Sequence, residues 1–90
     1  MSNQARIEQI QARLQSSLKP TELEIRDDSH LHAGHPGARD GRGHFHVRIV
    51  SEAFEGQRPL ARHRQVFDAL GEMMDSDIHA LQIDARSPGE

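Results

Sequence analysis

Apolar residues recur at Ile7, Ile10, Leu14 and Leu18, with Gln, Arg and Glu between them. That spacing predicts an amphipathic helix from about Asn3 to Leu18. Lys19-Pro20 stops it, because a proline turns the residue before it away from helical geometry. The period then drops to two. Leu23 and Ile25 alternate with Glu22, Glu24 and Arg26, which predicts a short strand with one wet face, ended by Asp27-Asp28-Ser29. A second alternating run covers His44 to Ser51, with Phe45, Val47 and Ile49 on one side and His44, His46 and Arg48 on the other. It predicts a strand antiparallel to the first. Ser51 to Gly56 reads as a turn with a short helix. Pro59 then opens a longer helix at the position where its missing N–H costs nothing. Leu60, Phe67, Leu70 and Met74 are expected to line its buried face, with Val66 and Met73 at the margins. Gly71 either ends that helix or weakens its last turn. After a break at Asp75-Ser76-Asp77, His79, Leu81, Ile83 and Ala85 share one face of a third strand, and residues 87–90 trail off.

The order is therefore helix, strand, strand, short helix, helix, strand. A strand followed by a dozen-residue helix and another strand favours a right-handed parallel crossover. With the second and third strands parallel and adjacent, the sheet is mixed and both strands begin at the same end. His44 begins one and His79 begins the other.

The stretch DSHLHAGHPGARDGRGHFH, residues 28–46, empties into that same end. It holds His30, His32, His35, His44 and His46, five of the seven histidines in the chain. Four glycines and a proline between His30 and Gly43 exclude regular structure, so residues 29–43 read as a long Gly/His-rich loop, more often functional than neutral at this length. Each histidine taken singly could be solvated loop filler. Neutral imidazole also binds zinc, copper, nickel and iron, and a set gathered with His79 favours a ligand role. His79 matches Leu81 and Ile83 in strand parity and should be partly shielded, and a partly buried polar ring wants a partner.

Ninety residues make one domain, 1–90, with a simple core. The absence of cysteine excludes disulfides and cysteine-based zinc sites and fits a reducing cytoplasm. No run approaches the roughly 20 apolar residues of a membrane span. The net charge of −3 argues against a globally basic nucleic-acid binder, although protonating all seven histidines would bring it to +4. Three phenylalanines, with no Tyr or Trp, leave little surface for stacking bases.

Arg58, Arg62, His63 and Arg64 crowd the start of the long helix, where the macrodipole disfavours cations by about 0.3–1 kcal/mol each. They could hold an anionic group such as phosphate or carboxylate, or be neutralised by neighbours such as Glu52, Glu55 and Asp68. Catalysis has little support. Asp28, Ser29 and His30 are adjacent in sequence, which makes no triad, and no phosphate-cradling glycine loop is present.

Three segments together resemble the BolA family: DDSHLHAGHPGA (27–38), GHFHVRIVSEAFEGQRPLARHRQVFDAL (43–70) and IHAL (78–81). The joint pattern HFxVxIVSxxFxGxxxLxRHRxVxxxL followed by IHAL is very specific. The resemblance implies a single-domain α+β fold related to the K-homology domains, with a three-stranded sheet backed by helices on one face. It implies partnership with a monothiol glutaredoxin around a shared [2Fe–2S] cluster, or transcriptional regulation through DNA binding, linked to stress. It makes His79 the main cluster ligand and His32 or His44 the second. The remaining ligands would come from glutaredoxin and its glutathione. Alone the chain would be a monomer without a cluster, and with its partner a heterodimer. In the second role Arg58, Arg62, His63 and Arg64 would hold DNA or a partner. The chain departs from the family at His46, where a basic residue is commoner, and in a shortened end at SPGE. It also has Pro59 where the second glycine of a K-homology GxxG loop would stand.

Overall fold

In the computed structural model, which describes residues 2–28 and 43–90, helix α1 runs over Asn3–Leu18. The Ser2 side chain caps it by accepting from the Ala5 N–H at 3.1 Å. Ile10, Leu14 and Leu18 turn inward, one per turn, as the spacing predicts. Lys19 adopts a left-handed conformation with φ of 46°, and its N–H closes the last turn on the Gln15 carbonyl.

Strands β1 (Glu22–Asp27), β2 (Gly43–Val50) and β3 (Ile78–Arg86) form one sheet in the order β1-β2-β3. β1 pairs antiparallel with β2, placing Leu23 opposite Ile49 and Ile25 opposite Val47. β3 pairs parallel with β2, so the crossover expected from the element order is present. Phe45, Val47 and Ile49 all project from one face of the central strand and are almost wholly buried. They meet Ile10 and Leu14 of α1, Val66 and Leu70 from the long helix, Met73 and Ile78. The helices therefore cover one face of a mixed three-stranded sheet, the α+β arrangement that the resemblance implies.

The other face is polar and alternates in charge. Arg48 stands between Glu24 on β1 and Asp84 on β3. Asp84 accepts a 3.0 Å bond from Arg86, and this, with the charges of Arg86, Arg48 and His46, holds its carboxyl below the usual range.

After β2 a short 3₁₀ turn, Glu52–Phe54, leads to α2, Pro59–Leu70, with Pro59 in its first turn. Ser51 links these parts: its buried hydroxyl donates to the Leu18 carbonyl at 2.6 Å and accepts from the Ala53 N–H at 3.1 Å. The face of α2 that meets the core agrees with the expected one at Leu70, and Met74 packs against the core, but it departs at Leu60 and Phe67. Val66, Leu70 and Met73 are buried, whereas Leu60 is 63% exposed and Phe67 38%. Leu60 and Phe67 lie seven apart and mimic an apolar stripe. The row at Val66, Leu70 and Met73 is the one the crossover turns towards the sheet. Gly71, at φ of 56°, ends α2, and Met73–Ser76 form a separate single-turn helix, α3.

The tail is also more ordered than expected. Arg62 holds both carboxylate oxygens of Glu90 at 2.6 Å, and the Ser87 hydroxyl bonds the same carboxylate. No helix among the described residues is long and apolar enough to cross a membrane.

Candidate functional site

The parallel pairing brings the starts of β2 and β3 together, and with them His44 and His79. Their ring centroids lie 5.0 Å apart with the planes tilted by 55°. Thirty-four residues separate the two in sequence, so the sheet alone makes them neighbours.

The pairing slips by one residue at this point. Gly43 lies opposite Ile78, but His44 lies opposite Ala80, which leaves His79 as the extra residue of a β-bulge. The slip corrects the expectation that His79 would be partly shielded. Ile78 takes the core-facing position at 1% exposure, and His79 is exposed on the surface. A bulge re-aims a side chain that simple alternation would have sent inward. His44 departs in the opposite direction. Alternation puts it on the wet face, but it is only 6% exposed, and both ring nitrogens are shielded from solvent. As a residue of the central strand it is flanked on one side by Asp28, whose N–H donates to the His44 carbonyl at 2.8 Å, and on the other by β3.

His32, the other candidate for second ligand, belongs to the segment 29–42 outside the described residues, as do His30 and His35. His46 is half-buried on the polar sheet face, one rung further from the strand starts. Among the described residues, no group of three or more His, Asp or Glu gathers to hold a metal. The described part of the site is thus an exposed imidazole beside a sheltered one, a nitrogen-only donor pair. Imidazole nitrogens of this kind suit zinc, copper, nickel or iron alike.

Sequence reasoning missed two residues at this end. The Asp77 carbonyl accepts the Gly43 N–H at 3.0 Å, and its carboxylate meets Arg6 Nε at 3.3 Å. Arg6 is buried on α1. The signal for it is its place four residues ahead of Ile10, in line with Leu14 and Leu18, since an arginine in an apolar row calls for a partner.

The basic cluster lies at the other end of the sheet. Arg62 reaches the carbonyl of Ala85, near the end of β3, while His79 sits at its beginning. Six residues of strand put about 20 Å between these two positions. The cluster is also divided. Arg58 and Arg64 are exposed and His63 half-exposed, but Arg62 is committed to Gln57 and Ala85 carbonyls and to Glu90. Glu90, rather than Glu52, Glu55 or Asp68, is the acid that balances Arg62. Its carboxyl is held down at about 2, from an ordinary 4.5, chiefly by the Arg62 hydrogen bonds and then by Ser87.

Comparison with known proteins agrees with this architecture. The family model described as BolA-like protein matches residues 14–90, leaving residues 1–13 outside it. SufE-like protein 1, chloroplastic/mitochondrial, of Arabidopsis thaliana is 44% identical over 86 residues, covering 90% of this chain and 23% of that protein. Protein BOLA1, chloroplastic, of the same plant is 43% identical over 88 residues, covering 94% of this chain and 55% of the relative. The chain thus spans about a quarter of the first relative and about half of the second. The solved BolA domain of SufE1 from Arabidopsis thaliana superposes with a TM-score of 0.81 at 42% identity, covering 92% of both chains.

Proposed function

Because this chain belongs to the BolA-like protein family, we propose that it partners a monothiol glutaredoxin in the cytoplasm and supplies histidine ligands to a [2Fe–2S] cluster shared with it. The observation that carries this reading is the His44–His79 pair at the common start of two parallel strands. His79 is the ligand within reach of a partner, with His44 or His32 as the second. Sulfur ligands would come from the partner and its bound glutathione, which suits a chain without cysteine. Histidine in place of cysteine at one iron raises the reduction potential of such a cluster. The protein acts by binding, not by catalysing a reaction of its own, as a monomer that becomes one half of a heterodimer.

Mixing the protein with cluster-loaded monothiol glutaredoxin is expected to change the visible absorption spectrum, and His79→Ala to abolish the change. An unaltered spectrum with the unmodified chain would overturn the reading.

A second reading, regulation of transcription through DNA, draws support from the exposed Arg58 and Arg64 beside His63 at the start of α2. Arg62 contributes less than its sequence position suggests, because Glu90 already fills its fork. Retarded mobility of a DNA duplex, fading as salt rises and weaker still with Arg58→Ala and Arg64→Ala together, is the expected result. No retardation at low salt would reject it.

A further inference from the structure

We propose that Arg6 and Asp77 form a positioning pair for the two imidazoles, fixing the bulge in β3 that brings His79 against His44. The importance of the pair rests on reading His44 and His79 as ligands, but the geometric claim stands apart from any cluster.

Asp77 is tied in four directions. Its carboxylate meets Arg6 on α1 and accepts from the Ser76 hydroxyl at 3.0 Å. Its N–H reaches the Met73 carbonyl at 2.9 Å, and its own carbonyl accepts the Gly43 N–H. Gly43 immediately precedes His44, and Asp77 stands two residues ahead of His79. The Gly43–Asp77 bond is thus the last anchor before the register slips, and His79 is the residue thrown outward by that slip. On the far side the bulge is held by the ladder from His44–Ala80 onward. On the near side the anchor is Asp77, and Arg6 braces it.

The side chains of Arg6 and Asp77 are only 11% and 16% exposed, so solvent screens their attraction weakly. Arg6 is aimed from the other side by Asn3, whose Oδ1 accepts from Nη1 at 3.0 Å. Gly43 leaves no slack, since a Cβ there would collide with the buried Phe45 ring and stand 3.1 Å from the same Asn3 oxygen. The first turn of α1 therefore clamps the point where both histidine-bearing strands begin. Arg6 lies ahead of the residues matched by the family model, in the first half of α1.

The test compares Arg6→Gln and Asp77→Asn with Arg13→Ala, which removes a bond to the Leu70 carbonyl and loosens α1 from α2 away from the bulge. All are measured well below the lowest melting midpoint. The first readout is the nuclear Overhauser signal between the His44 and His79 rings in the protein alone. It should be present in the unmodified chain and in Arg13→Ala, and largely absent from Arg6→Gln and Asp77→Asn. The second is titration with cluster-loaded glutaredoxin, where these two variants should need about tenfold more partner for the same spectral change. A ring-to-ring signal that persists in Arg6→Gln and Asp77→Asn, or vanishes equally in Arg13→Ala, would overturn the positioning role. The expected pattern of ring signals, with no spectral change even in the unmodified chain, would uphold the positioning role and reject the cluster reading.

Discussion

Glu90 shows how one side chain can decide whether an apparent binding residue is available. Its carboxylate takes two short bonds from Arg62 and one from Ser87, and titrates at about 2 in the folded chain against 4.5 ordinarily. Folding therefore favours the ionised form. The stabilisation is complete above 4.5 and drains away as the pH falls towards 2. Glu90→Gln removes the charge at every pH, so its stability should fall less steeply over that window than the unmodified chain's, as measured by urea unfolding at stepped pH. The same clasp takes Arg62 out of the set of free cations that the run RHR suggests. Nothing near position 62 in the sequence signals this, because the partner lies 28 residues further on.

At the scale of elements, the boundaries of α1, the pairing of β1 with β2 and the parallel return of β3 follow from periodicity and from the handedness of crossovers. Two features do not. In the buried row of α2 Leu70 is legible in the sequence, but the central place of Val66 is not, because Leu60 and Phe67 outweigh Val66 in bulk while the choice of face belongs to the sheet beneath. Leu70→Ala should therefore cost about 2–5 kcal/mol in a denaturant titration. Leu60→Gln should stay within about 0.5 kcal/mol of the unmodified chain. The bulge at His79 is hidden for a similar reason. Alternation along a single strand cannot report a slip that is set by the neighbouring strand and by Asp77. The candidate ligand pair is legible because topology needs only element order. The opposite exposures of His44 and His79 are not, because they depend on a one-residue shift.

For the whole molecule, the histidine pair and the basic start of α2 occupy opposite ends of a sheet with a charge-alternating open face. A partner bound at one end leaves the other uncovered. Arg58→Ala combined with Arg64→Ala should leave the glutaredoxin-dependent spectral change intact while weakening any DNA retardation. Loss of both responses would mean that the two ends act as one surface.

The parallel pairing of β2 with β3 has a thermodynamic corollary. An unfolded chain has no means of holding positions 44 and 79 together, so whatever bridges both imidazoles binds the native state and not the coil. Occupancy then becomes a contribution to thermal resistance that grows with the logarithm of ligand concentration. A cell short of that ligand would hold a more perishable population of this protein.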